Sequence, residues 1–405
     1  MSATLGLHAE RGVDPARYAL GGVAPRWAIK PSSVEEAAEA LRAASRDGFQ
    51  ILPWGGGTRL GRSAPTGGYD VALDLTGLDR ILEYVPEDFT LTAQCGATLA
   101  SLRAALAARG QELPLESPHA ARATLGGTLA VNGSGPRRLR FGSPSDRLLG
   151  ARFVLGDGTP ARSGGKVVKN VAGLAVHRLL CGSRGRLAVI LEASLKLAPV
   201  PERRVTLVYG AAVWQLAEAS RWSALPRLEP SYLTVLGQAA ARARPGPAWP
   251  DAPFVVAVGL EDDTEWVTEQ ETRVAAALGA PALRLEGDDA AALTQALADA
   301  QEGEGSRLVF TSAHKTPAGL ATFFERAGAE RLVSHAAAGR LHWFLDPGDD
   351  PSALVRELRE AGYVLIDRGR VSLEPPMAPE VAIQDLRERL RLALDPAHAL
   401  AAVEG

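Results

Sequence analysis

Apolar residues recur along this chain with two periods. Val34, Ala37, Ala38 and Leu41 are spaced three and four apart, which predicts a helix. Ser32 or Ser33 can cap its start, with Glu35 or Glu36 three residues on, and Gly48 provides a stop. Ile51-Leu52 reads as a strand, Val71, Leu73 and Leu75 alternate as in a half-buried strand, and Ile81–Val85 and Thr90–Gln94 read as two more. Thr98 can cap a helix with Leu99, Leu102 and Leu106 on one face, ended by Gly110. Arg152–Leu155 is a strand entering the turn Gly156-Asp157-Gly158, and a short helix is expected around Ala175–Leu180. Leu187, Val189, Leu191, Ala193, Leu195 and Leu197 form a long alternating strand.

Pro199 and Pro201 then break the pattern. The expected organisation is a loose N-terminal arm over 1–24, a first domain over 25–201 and a second over 202–405. Strands are expected in the second domain at Thr206–Tyr209, Phe254–Val258, Arg307–Thr311, Arg340–Phe344 and Gly362–Ile366. Helices such as Glu265–Leu278 and Ala290–Ala300 lie between them, a compact α/β or split-βαβ pattern. Residues 238–252 are Ala-, Arg- and Pro-rich and are expected as a surface loop, and Leu386–Leu394 as an amphipathic last helix. No long internal repeat is visible. The fold class is α+β, or mixed α/β.

Composition changes this picture little. Of 405 residues, 46% are apolar and 22% charged, as in an ordinary globular protein. A net charge of -3 implies no nucleic-acid partner. Cys95 and Cys181 stand far apart in apolar contexts, which argues against a disulfide framework or a zinc site and for a reducing compartment. No signal-peptide pattern and no membrane-spanning apolar run are visible. The expected location is the cytoplasm, with at most a peripheral membrane association, on the inner face.

Candidate chemistry lies in three glycine clusters. The first is Pro53-Trp54-Gly55-Gly56-Gly57-Thr58-Arg59, where a strand meets three glycines, a hydroxyl and a cation. Glycines let backbone N–H groups converge on an anion, and arginine offsets phosphate charge. The second is Thr124-Leu125-Gly126-Gly127-Thr128-Leu129-Ala130-Val131-Asn132-Gly133-Ser134-Gly135, where small residues admit a backbone or a flat ligand. The third is Gly182-Ser183-Arg184-Gly185-Arg186. Each alone has a plain explanation as a turn or packing segment.

Together, and in this order, they resemble the FAD-binding domain shared by vanillyl-alcohol oxidase and p-cresol methylhydroxylase (the PCMH type). The resemblance runs from Pro31 to about Pro201, with Leu73-Asp74-Leu75-Thr76-Gly77 and Lys169-Asn170-Val171-Ala172-Gly173 as further matching pieces. It implies two α/β subdomains followed by a smaller α/β cap-like domain with an antiparallel sheet. Within that superfamily the chain is similar to the smaller flavin subunit of bacterial glycolate oxidase. Leu113-Pro114-Leu115-Glu116-Ser117-Pro118-His119, Gly135-Pro136-Arg137-Arg138 and Gly142–Gly150 carry that likeness.

By resemblance, Pro53–Arg59 hold the FAD diphosphate, while Pro118, Thr124, Leu125, Gly126, Gly127, Val131, Asn132, Gly133, Ser134 and Gly135 line the flavin and ribityl side. Arg184, Gly185, Leu187 and Ile190 pass along the adenosine end. Where some members carry a covalently linked histidine this chain has Thr58, so FAD is expected to be non-covalent. The usual Gly-Thr-Leu-Gly reads Gly185-Arg186-Leu187-Ala188 here. The implied partners are a larger catalytic FAD subunit and an iron–sulfur subunit, and the implied substrate is a small 2-hydroxy acid, glycolate going to glyoxylate.

No catalytic residue is assigned. The His-x-Gly-Asp-Gly-Asn-x-His signature of related D-2-hydroxy-acid dehydrogenases is reduced here to His335, Gly339 and His342, without the Asp and Asn. Structural roles are favoured for both histidines, and no metal is expected. His119, His177, Lys169 and the Arg137–Arg140 group are alternative substrate-facing residues, with arginine runs more often a solvated or partner-facing surface. A stand-alone dehydrogenase and a non-catalytic scaffold derived from a flavin domain remain as alternatives.

Overall fold

A computed structural model describes residues 13–60, 68–167, 173–222, 228–243, 248–302, 306–312, 323–324, 332–345, 350–360, 362–367 and 381–401. The described residues within Met1–Gly133, Ser143–Val200 and Ala378–Glu404 form one compact unit, and those within Ser134–Gly142 and Pro201–Met377 form a second. The continuous division at 201/202 is therefore corrected twice, at 134–142 and at the C-terminal end.

In the first unit β1 (Trp27–Ile29) leads to α1 (Val34–Asp47), β2 (Ile51–Trp54) and β3 (Val71–Asp74). The three strands pair in parallel in the order β1-β3-β2. Ser33 Oγ accepts from Glu36 N at 3.1 Å, the Glu36 carboxylate accepts from Ser32 N at 2.8 Å, and Gly48 ends α1 at φ 71°. Next come β4 (Ile81–Val85), β5 (Thr90–Gln94), α2 (Leu99–Ala107), β6 (Gln111–Glu112), α3 (Leu125–Val131), β7 (Leu148–Val154), β8 (Pro160–Gly164), α4 (Val176–Leu180), β9 (Val189–Lys196) and β10 (Ala198–Pro199). An antiparallel sheet runs β4-β5-β9-β7-β8, and β10 pairs with β6.

Two cores flank that sheet. Leu91, Phe153 and Leu195 pack against Leu99, Leu102 and Leu106 of α2 and Leu125 and Leu129 of α3. Val154, Val189 and Leu191 join Ile51, Val71, Leu73 and the buried face of α1. Residues 13–24 are not a loose arm where they are described. Tyr18 is buried, its hydroxyl donates to Asp74 Oδ2 at 2.7 Å, and its ring meets Trp54 edge-on at 5.1 Å.

The second unit is built on one eight-stranded antiparallel sheet. Its strands are β11 (Arg203–Ala211), β12 (Tyr232–Gly237), β13 (Phe254–Asp262), β14 (Leu283–Glu286), β15 (Ser306–Ser312), β16 (Leu332–His335), β17 (Arg340–Leu345) and β18 (Tyr363–Asp367). Helices α5 (Thr264–Leu278), α6 (Asp288–Asp299) and α7 (Ser352–Glu360) connect them. The order β14-β11-β13-β12-β16-β17-β15-β18 divides at the β12–β16 pair. Each half has its first strand inside, its fourth outside and its second at the dividing line, the split-βαβ (ferredoxin-like) arrangement. The unit thus repeats one topology twice, although no repeat is visible in the sequence. Hydrophobic burial constrains which positions face inward but not which apolar residue fills them. Gln238–Arg242 is a helix with Ala240 and Ala241 buried, which corrects the first part of the surface loop expected over 238–252, while 248–252 carry neither helix nor strand.

The chain then returns to the first unit. α8 (Val381–Leu394) ends at the buried Asp395, and Leu400 forms a parallel bridge with Ile51.

Candidate functional site

β2 delivers Trp54 to the turn Gly55-Gly56-Gly57, with Gly57 at φ 67°, a left-handed conformation that glycine adopts without strain. The second cluster lies directly against this turn. A Cβ on Gly56 would sit 1.8 Å from the Arg122 carbonyl oxygen, and one on Gly55 2.3 Å from Thr124 Oγ1. Thr124 caps α3, its Oγ1 accepting from Gly127 N at 3.2 Å. Gly126 meets Cys95, where a Cβ would come within 2.9 Å of the cysteine Cβ. The third cluster is tied to the far end of α3, with Gly182 N donating to Leu129 O at 3.1 Å and Arg184 N to Ala130 O at 2.8 Å. The three glycine clusters are therefore one assembly rather than three turns.

They enclose one cleft. Pro53 to Arg59 form one wall, Thr124, Gly126, Gly127 and Val131 a second, and Arg184, Gly185 and Ile190 a third. Arg59 and Arg184 are its charged lining, with no carboxylate among the described residues around it. Ser183 Oγ, also on the cleft wall, is buried without a hydrogen-bond partner among the described residues. Buried hydroxyls are nearly always satisfied, so a water or a bound group in the cleft would complete this one. A glycine-walled cleft with two cations and a waiting hydroxyl suits an anionic, polyhydroxylated dinucleotide.

Other expected residues lie elsewhere. Leu125 is fully buried in the core, and Leu187 packs against that same core. Pro118 is buried away from the cleft lining. Asn132 ends α3 at φ 48°, its Oδ1 accepting from Ser145 N at 3.3 Å, and Gly133 follows it outside the cleft lining. Ser134 and Gly135 group with the second unit, where Ser134 O accepts from Gln301 Nε2 at 3.2 Å. Leu75, Cys95, Ala130 and Ser183 line the cleft but were not singled out. Ser183 was legible in principle, since it stands inside the third glycine motif. Leu75 and Cys95 carry no sequence signal distinguishing a cleft wall from a core.

Several of the alternative polar residues are engaged within the protein. Arg137 is buried and pairs with the buried Glu261 at 3.0 Å, while Arg140 reaches Asp262 at 2.6 Å. This corrects the reading of a solvated or partner-facing surface for Arg137, while Arg140 remains exposed. His335 is 1% exposed, with Nδ1 3.0 Å from Thr234 Oγ1, and burial, with Arg340 nearby, holds it down at about 3. Arg307 donates to His342 Nδ1 at 3.4 Å, and the two histidine rings meet edge-on at 6.0 Å. His177 is buried with Nδ1 3.0 Å from Ser163 Oγ, and burial, then Arg178, lowers its pKa. His119 is exposed at φ 58°. Lys169 lies outside the described residues, as does its motif up to Ala172. Cys95 and Cys181 are free thiols. Among the described residues no helix is long and apolar enough to cross a membrane.

The walls of this cleft fall largely within a stretch of known type, since residues 25–164 match the model of the FAD binding domain family. Over those residues the chain is similar to an FAD-binding domain. FAD is its cofactor, and Ser183, Arg59 and Arg184 fit that assignment on the geometry alone. The chain is 40% identical over 148 residues to the glycolate oxidase subunit GlcE of Escherichia coli, covering 36% of this chain and 42% of that protein. It is 35% identical over 185 residues to glycolate oxidase subunit GlcD of Bacillus subtilis, covering 45% of this chain and 39% of that one. A D-lactate dehydrogenase of Archaeoglobus fulgidus is 35% identical over 184 residues, covering 44% and 41%. The matched part thus spans about two fifths of each relative's length. A solved alkyldihydroxyacetonephosphate synthase shares the fold at TM-score 0.69 and 18% identity, over 93% of this chain and 76% of that one.

Proposed function

We propose that this chain is the FAD-binding subunit of a glycolate-oxidase-type complex that oxidises a small 2-hydroxy acid, glycolate to glyoxylate. FAD is held without a covalent bond by the walls of the cleft. When bound it supplies the hydride acceptor. The residues of this chain supply its place: glycine backbones and Arg59 and Arg184 for the diphosphate, Ser183 Oγ for a hydroxyl or phosphate oxygen. A larger catalytic flavin subunit and an iron–sulfur subunit complete the complex and carry electrons onward from a cytoplasmic or peripheral membrane position. The observation that carries this reading is the closure of three separate glycine clusters around a cleft with an unsatisfied buried hydroxyl.

The second unit supports a subunit role over a self-sufficient dehydrogenase. Proton abstraction needs a base within reach of a substrate hydroxyl. His335 and His342 are instead buried and engaged with Thr234 and Arg307. The test is spectroscopic and kinetic. The purified chain is expected to show flavin absorption that acid precipitation releases into the supernatant. It is expected to oxidise glycolate with an artificial acceptor only when the partner subunits are present. Robust turnover of glycolate or D-lactate by the chain alone would sink the subunit reading, and a colourless chain that takes up no FAD would favour the scaffold.

A further inference from the structure

We propose that the return segment Asp395–Ala401 is a positioning element of the cofactor cleft: its docking on β2 and the binding of a flavin dinucleotide strengthen one another. This inference rests on the reading of the cleft as an FAD site.

The sheet order β1-β3-β2 leaves β2 at an edge, and β2 is the strand that runs into the first glycine cluster. Its open side is closed by this segment. Ile51 N donates to Ala399 O at 2.7 Å, and Ala401 N donates to Ile51 O at 2.9 Å. Ile51 and Leu400 are both fully buried, so undocking would leave an N–H and a C=O of Ile51 without partners. Leu400 packs with Ile51, Val71 and Leu73. Ala401 joins Leu52 and Tyr18 in a cluster against which Trp54, a cleft residue, also packs.

Asp395 holds the segment in this shape. It is fully buried, and its carboxylate accepts from Ala399 N at 2.9 Å and Leu400 N at 3.0 Å. His398 completes the turn at φ 52°, and its carbonyl accepts from Gln50 Nε2 at 2.7 Å, one residue before β2. The fit is tight on the far side too, where a Cβ on Gly156 would lie 1.9 Å from Asp395 Oδ1. A segment that fixes β2 fixes where the loop 53–59 begins. Fixing that loop lowers the ordering cost that a dinucleotide meets on binding. Linkage then requires the dinucleotide to hold the segment in turn.

The full-length chain tests this without substitution. On saturation with FAD, hydrogen exchange at the amides of Ile51, Leu400 and Ala401 is expected to slow on the order of tenfold, a usual size for such coupling. Unchanged exchange there, in a chain whose 54–59 amides FAD does protect, overturns the proposal and leaves the cofactor reading standing. A chain that takes up no FAD and gains no protection at 54–59 brings down both. Asp395→Ala is expected to raise the Kd for FAD on the order of tenfold, with Asp395→Asn recovering part of the loss. Leu106→Ala, a core substitution on α2, lowers thermal stability without touching β2 and is expected to leave the Kd unchanged. Equal weakening of FAD binding in Asp395→Ala and Leu106→Ala would mean a purely structural role and overturn the proposal.

Discussion

Gly56 shows how one residue type can be dictated by a neighbour far away in sequence. The Arg122 carbonyl occupies the place of its missing Cβ, at 1.8 Å. Gly56→Ala must push the first glycine turn off the second, at a cost of about 1–3 kcal/mol. A flavin-free or weakly loaded protein is the expected result, read as the ratio of flavin to protein absorbance. A second single-residue prediction concerns pH. His335 titrates near the ordinary 6.5 when the chain is unfolded but is held down at about 3 in the fold, by burial and then by Arg340. As pH falls through this window the unfolded chain takes up a proton that the folded one refuses. The stability associated with a neutral His335 is therefore complete above about pH 6.5 and drains away towards pH 3. Thermal melts of His335→Gln are expected to depend less on pH than those of the parent across that range.

At the scale of elements, the excursion 134–142 is held to the second unit by charge. Arg137 and Glu261 are both buried, and Arg204 also reaches Glu261 at 2.9 Å. Removing one partner of a buried pair costs about 3–5 kcal/mol because the other charge is left without compensation. Arg204 remains in Arg137→Met, so the loss is expected near the lower end, measurable as a drop in the urea midpoint. Helix α1 offers a smaller and independent test. Ser33→Ala removes the cap on Glu36 N and is expected to cost about 1 kcal/mol without changing flavin content.

At the scale of the whole molecule, the first unit is assembled from three stretches of chain. A fragment ending at residue 200 lacks Leu400 and its bonds to Ile51. It is expected to melt lower than the first unit of the intact protein, and a peptide spanning 378–405 added in trans is expected to raise that melting temperature. A fragment as stable as the intact unit would show that the returning segment contributes little.

The sequence by itself determined the local elements of this protein. Ser33, Glu36 and Gly48 marked α1 and alternation marked β5 and β9, because caps, turns and periodicity act over a few residues; the three glycine motifs pointed to the cofactor domain only through their resemblance, in order, to a known family. Strands β12 and β16, buried on both faces, show no alternation and escaped notice, although β13, equally buried, was marked by its longer apolar run. Only the tertiary structure decided that Leu125 faces the core while Gly126 faces the cleft. It alone showed that Arg137 is buried against Glu261, that the second unit repeats one topology, and that Leu400 closes the edge of β2. These outcomes depend on which surfaces meet across hundreds of residues, and neither propensity nor spacing carries that information.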